Sequence, residues 1–416
     1  MSEKPTRETS PGDPLPGAWL VVASLWVVAA LNYLDRNMIN TMRESLTGSI
    51  PMTEKEFGLL TSAFLWIYGG FSPFAGYLAD KFSRSRVIIL SVLIWSAVTW
   101  LTSQATTYNE LLLARALMGL SEACYIPAAM ALITDYHRGT TRSLATGIHL
   151  SGISIGSSLG GLGGVLAKHH SWQFPFQLFG IGGILYSLYL MVVLRNPPAP
   201  TESKSPQADA TKVGFLDACY HLFTNGRYLN VVVCWSLLGF AGWAMGTWMP
   251  TYIKEEFDMS EGLAGMLSTI SQYVPSFVGA LLGGFLADRW TRTNPRGRIL
   301  IPIIGAAIAG PGILLASTTA ILPLAIVGLI VYGLTRQFVD SNMMPVLCLI
   351  SDSRYRATGY GIMNFCSCLV GGLASLVGGQ VRDAGSNVAI VFQAAAVGVL
   401  ATAFLLSRIR LTEKSG

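Results

Sequence analysis

The sequence predicts an all-α membrane protein: twelve transmembrane helices in two six-helix, pseudo-symmetric halves, with both termini cytoplasmic. Three observations predict it. Of the 416 residues 51% are hydrophobic and only 12% charged, about half the charged fraction of a soluble domain. Apolar runs of about 18–25 residues, long enough to cross a bilayer, recur from end to end. A pattern that follows the second run returns after the eighth.

The spans are expected at 17–42, 56–79, 86–104, 109–134, 142–167, 174–194, 228–252, 262–288, 298–317, 320–350, 357–381 and 386–407. Residues 1–16 are polar and Pro-rich and read as a disordered cytoplasmic N-terminus. The first apolar run is already of spanning length, so no cleavable leader is expected. Residues 17–194 make the N-terminal half and 228–407 the C-terminal half, with a cytoplasmic tail over 408–416. Between the halves, 195–227 is a cytoplasmic linker. Its first part, to Lys212, is rich in Pro, Ser and charge and reads as flexible; 215–223 is a candidate interfacial helix carrying Cys219 and His221.

An even number of spans puts both termini on one side. With that side in the cytoplasm, 20 of the 28 basic residues fall inside and only Arg43, Lys55, Lys168, Lys254 and Arg382 outside. That asymmetry sets the orientation. The formal charge of +5 is accounted for by this placement and is no sign of nucleic-acid binding.

The repeat is specific. "GYLADKFSRSR" (76–86) reappears as "GGFLADRWTRTNPRGR" (283–298), and "EACYIPAAMALITD" (122–135) has a weaker counterpart in "DSNMMPVLCLISD" (340–352). Six spans repeated with unchanged topology make parallel halves related by an axis along the membrane normal, enclosing a central path.

The Gly76, Leu78, Asp80, Lys81, Arg84 and Arg86 pattern resembles the loop motif of the major facilitator superfamily, with Ser83 where that motif usually has glycine. The resemblance implies the major facilitator fold over the whole chain. It also implies gating by Asp80, Arg84 and Arg86, and by Asp288 and Arg289 in the second copy, because the motif helps lock the outward-facing state in that family. Without the resemblance, Asp80 and Asp288 read as helix-end acids among positive-inside bases. Within the superfamily, "NYLDR" (32–36) and "RALMGLSEA" (115–123) are similar to the anion:cation symporters, which include sialin and the hexuronate and galactonate transporters. Spinster-type lipid transporters share much of the same pattern.

Asp35, Arg36, Arg115, Glu122, Arg336 and Asp340 lie within expected spans. A charge at the bilayer centre costs about 2.5–3.5 kcal/mol on insertion scales, so such residues pair or face a water-filled cavity. Arg115 and Glu122, seven apart, share a helix face; Arg336 and Asp340, four apart, are adjacent on one. Buried pairs stabilise weakly, so six intramembrane charges in so uncharged a chain point to function. A guanidinium fork matches a carboxylate or phosphate, which makes Arg36 and Arg115 the natural anion ligands. A buried carboxylate changes protonation with the partner it faces, so an anion that takes its arginine couples proton and anion movement. The resemblance to the anion:cation symporters implies Asp35 and Glu122 as the proton carriers.

Other polar residues suited to hydroxyls of a sugar acid are Asn32, Tyr33, Gln272, Tyr273 and Asn364, with Gln337 and Asn342 beside Arg336 and Asp340. Each also reads as a helix-to-helix hydrogen bond. His149 reads more readily as a packing residue. Trp235, Trp243 and Trp248 serve equally as interface anchors or cavity walls. The glycines of 147–164 and 371–379 suit close helix approach and a seam between halves. The six cysteines form no extracellular framework, and no phosphate loop, nucleophile elbow or metal-ligand spacing is present.

The expectation is a non-enzymatic, multi-pass cell-membrane transporter without cofactor or metal. It is expected to act as a monomer, moving an organic anion such as a sugar acid, or else a lysolipid, together with protons. A non-transporting receptor on the same scaffold is the alternative of another class.

Overall fold

The structure, a computed structural model, describes residues 14–137, 141–197, 215–294, 296–351 and 356–409. Of the expected N-terminal segment 1–16, the linker 195–227 and the tail 408–416, residues 1–13, 198–214 and 410–416 lie outside the described residues. The described residues are helical throughout, joined by short connections. In chain order they form α1 (Ala18–Thr41), α2 (Arg43–Ser49), α3 (Glu54–Lys81), α4 (Arg84–Thr102), α5 (Tyr108–Glu122), α6 (Tyr125–Tyr136), α7 (Arg142–Leu159) and α8 (Leu162–His169). They continue with α9 (Gln173–Val193), α10 (Phe215–Phe223), α11 (Gly226–Glu256), α12 (Glu261–Thr291), α13 (Gly297–Thr318), α14 (Leu322–Ile350), α15 (Arg356–Asp383) and α16 (Ala389–Ser407).

A bilayer offers no water to backbone groups, so each crossing must satisfy its own hydrogen bonds as helix. Among the described residues, eleven helical segments are long and apolar enough to cross. Two of them combine short helices. α5 runs into α6 through Ala123 and Cys124, whose backbones stay in the helical region, and α7 runs into α8 through Gly160 and Gly161. α3, 28 residues long, runs in the same bundle. Observed boundaries fall within a few residues of the expected ones. The sequence pattern does not anticipate α2, a short helix set off from α1 at Met42.

Local chemistry starts the helices where they start. Thr53 and Glu56 cap each other's backbone at α3, and Thr107 and Glu110 do so at α5; Asn225 caps α11 and Ser260 caps α12. Each cap satisfies a donor that a helix N-terminus leaves open. α10 forms over the residues expected to be helical between the two sets of spans.

The bundle has two tightly joined seams between α1–α9 and α11–α16: α3 packs along α15, and α7 with α8 packs on α12. Glycines let backbones touch there. A Cβ on Gly58 would lie 2.4 Å from the Ser375 carbonyl oxygen, and one on Gly379 would lie 2.2 Å from that of Glu54. The glycine runs divide their labour: Gly152 and Gly156 seat α1, Gly161 meets α12, and Gly164 meets the end of α1 at Thr41 and the start of α12 at Glu261. Trp248 is fully buried, its indole N–H donating to the Ser375 carbonyl, so it is no interface anchor. The outward faces carry large exposed apolar side chains such as Leu185, Val192, Phe285 and Val397, as a lipid-facing surface requires.

Candidate functional site

The charged residues expected within the spans fold into two groups. In the first, Arg36 on α1 donates from Nε to Glu122 at the end of α5, at 2.6 Å. Arg36 is 2% exposed and Glu122 0%. The other face of the Arg36 guanidinium is held among the rings of Tyr33, Phe64 and Tyr68, at 4.6, 5.1 and 4.4 Å. Asp35, one residue earlier and pointing elsewhere around α1, accepts from the Thr99 hydroxyl of α4 at 3.2 Å. Arg115 stands over Phe64 at 4.7 Å and donates to the Met118 sulfur.

Charges in this group are balanced in number but incompletely bonded. Glu122 Oε1, Asp35 Oδ1, Arg36 Nη2 and two Arg115 nitrogens are buried without a hydrogen-bond partner. Asn32 stands within reach of Glu122, its amide otherwise unpaired. Buried charged groups left so incompletely bonded are costly, and spare bonding capacity is what a site awaiting another charge would show.

The second group sits on α14. Arg336 faces Asp340 one turn on, at 3.4 Å, and here the side chains are 23% and 21% exposed. A Cβ on Gly242 would collide with the Arg336 guanidinium, so the glycine on α11 makes the room it occupies. Tyr273 on α12 reaches across to α1, donating to Asn37 at 3.4 Å. This bond ties the two sets of helices together. Tyr360 is exposed beside Trp235, and Asn364, half-buried, lies one turn further along α15.

Two expected ligands take other places. The Gln272 side-chain amide donates to the Ser268 carbonyl of its own helix, and its backbone packs against Gly333. Asn342 likewise bonds the Phe338 and Gly283 carbonyls, joining α14 to α12. Both act in helix packing because their amides find carbonyls one turn away or on the adjacent helix. His149 is fully buried against the Tyr125 ring, a packing position.

At the loop-motif end, Arg84 pairs with Asp135 at the end of α6, and Asp288 pairs with Arg298 at 3.0 Å. Arg86 and Arg289 are exposed. The side chain of Asp80 lies outside the described residues.

The opposite end carries a feature that reasoning from motifs missed. Arg43, after α1, bonds Glu54 at 2.5 Å and Glu255 at 3.2 Å. Arg382, at the end of α15, bonds the same two acids: Glu54 at 3.2 Å and Glu255 at 2.7 and 2.8 Å. The four side chains close a ring between α1–α3 and α11–α15. Lys254 with Glu44 at 3.1 Å extends it. Asp383 caps the first turn of α3 through the Glu54 and Lys55 amides, both at 2.9 Å. Glu261 caps α2 through Glu44, at 2.6 Å, and Ser45. The signal was present in the sequence: three of the five basic residues assigned to the outer side, Arg43, Lys254 and Arg382, form this clasp.

The model of the Major Facilitator Superfamily matches residues 25–375. The Drosophila melanogaster protein spinster is 24% identical over 316 residues, 74% of this chain and 51% of that protein. The matched stretch thus spans about half the length of that relative. A hexuronate transporter of Bacillus subtilis is 22% identical over 67% of both chains. Among solved structures, a bacterial homolog of the human lysosomal transporter Spinster, in an inward-facing and unoccupied conformation, superposes with a TM-score of 0.73. It is 22% identical, and the match covers 95% of this chain and 96% of that one.

Proposed function

The chain belongs to the Major Facilitator Superfamily and is a multi-pass membrane transporter rather than an enzyme, and from that premise we propose that it couples an organic anion to a proton. The substrate is a sugar acid or similar carboxylate. α3 serves as the twelfth span, and the two sets of helices are six-helix halves that rock about a central site. The loop-motif end is cytoplasmic, as the basic residues indicate, so the clasp closes the outer side and the central path opens inward.

The observation that carries this reading is the buried Arg36–Glu122 pair with its unpaired atoms. An entering carboxylate first meets Arg336, Tyr273 and Asn364, the more accessible polar groups. As the halves close, it takes the Arg36 fork, with Arg115 adding positive charge and Asn32 and Tyr33 available to hydroxyls. Glu122 then loses its counter-ion. A bare carboxylate in a dry site is costly, and a proton neutralises it. Asp35, held by Thr99, stands near enough to share that proton load. Loaded with both, the site is no more charged than when empty, so it can turn over to the other side.

Proteoliposomes with an imposed pH gradient and a panel of labelled hexuronates and other carboxylates test the proposal. One class should accumulate inside when protons flow with it. Glu122→Gln should keep exchange of that substrate between compartments and lose gradient-driven accumulation. Unchanged accumulation in this variant removes Glu122 as the coupling acid.

A second reading, transport of a lysolipid or related amphiphile with an anionic head, is favoured by the resemblance of residues 32–36 and 115–123 to Spinster-type lipid transporters. It predicts thermal stabilisation of the purified protein by lysolipids and none by sugar acids.

A further inference from the structure

On the outward face of the bundle, at its loop-motif end, α3, α4 and α5 leave a trough between them of about 570 Å³. Leu78, Phe82, Leu90, Ile94, Leu117 and Leu120 line it, and all but the half-buried Leu78 are exposed. The trough is separate from the central charges: Ser121 and Cys124 line its floor, while Glu122 between them points inward and is fully buried. At one end it runs under Arg86 and Ser83 into a second hollow that Arg195 and Asn196 share.

That rim is rigid and basic. Asn196 donates to the Ser83 hydroxyl at 2.8 Å and accepts from the Ser85 amide at 3.0 Å, fixing the start of α4 to the end of α9. Arg86 and Arg195 are both exposed there, and the structure shows no carboxylate within ion-pair distance of either among the described residues. An apolar slot opening on two guanidiniums has the chemical form of a phospholipid turned inside out. A guanidinium fork suits a phosphate, and a slot of large apolar side chains suits an acyl chain.

We propose that this trough is a binding site for an anionic diacyl phospholipid, with one acyl chain along α3, α4 and α5 and the headgroup phosphate between Arg86 and Arg195. Two positive charges select an anionic head over a zwitterionic one, since each basic residue at an anionic membrane surface contributes roughly a fivefold preference.

The test is lipid retention by the purified protein, read by native mass spectrometry after adding phosphatidylglycerol and phosphatidylcholine of identical chains in equal amounts. The protein should retain phosphatidylglycerol by about tenfold or more over phosphatidylcholine. The Arg86→Gln/Arg195→Gln double variant, shown to be folded by its unchanged melting midpoint without lipid, should lose the preference. Leu90→Trp, which fills the trough, should reduce retention of both lipids. Equal retention of the two lipids by the unaltered protein overturns the proposal, as does a preference that survives the double variant. With an equal amount of lysophosphatidylglycerol added as a third competitor, its retention in place of both diacyl lipids also overturns the proposal, making the trough a path for cargo.

Discussion

Arg36 is held on both sides, by a carboxylate at its edge and by three aromatic rings around its plane. Lysine cannot reproduce that fit, because an ammonium has neither the fork nor the plane. Arg36→Lys should therefore weaken substrate binding by about tenfold or more, roughly 1.4 kcal/mol, measured by titration with the transported anion; unchanged affinity would place the anion elsewhere. The residues that carry charge here were legible in the sequence because a charge in an apolar span is rare. Their partners were not. Thr99, Phe64 and Tyr68 are ordinary residues of membrane helices, and only the fold, which lets these side chains reach from α4 and α3, brings them to Asp35 and Arg36. Gln272 shows the reverse: its polarity was visible, but not that its amide closes on the turn beneath it.

Helix ends carry the next level of control. The clasp joins ends that are distant in sequence, with Arg382 alone making three bonds to Glu54 and Glu255. Exposed pairs contribute about 0.2–1 kcal/mol each. Arg382→Ala is thus expected to weaken closure by about 1–2 kcal/mol, enough for a five- to thirtyfold shift between conformations. Spin-label distances between the ends of α2 and α15 check it: the longer-distance population should rise, and an unaltered distribution would show that backbone packing alone holds this end shut. That packing is substantial, since Gly58 and Gly379 let α3 and α15 touch backbone to backbone. The spans themselves were readable from apolar length. The breaks at Ala123–Cys124 and Gly160–Gly161 were not, because both keep helical backbone angles and leave no polar mark.

At the scale of the molecule, the repeat of the loop motif pointed to two parallel halves, while the conformation left no mark in the sequence. Two arrangements of the same helices share one hydrophobic pattern, so only the contacts between α1–α9 and α11–α16 distinguish them. The Tyr273–Asn37 bond is one of these contacts. A reversible crosslink between cysteines placed at these two positions should stop transport, and reductant should restore it; transport that continues through the crosslink would mean the halves do not part there. The clasp has a consequence for physiology. Its ring of four charged side chains, on the orientation proposed, faces a medium whose saltiness the cell does not set. Dissolved ions weaken attraction between exposed charges beyond a screening length that is about 8 Å at physiological strength, longer in dilute water, and shrinks to about 3 Å, the scale of these contacts, only near 1 M salt. On that reading the outer end is expected to rest shut more of the time in fresh surroundings and to loosen in brine.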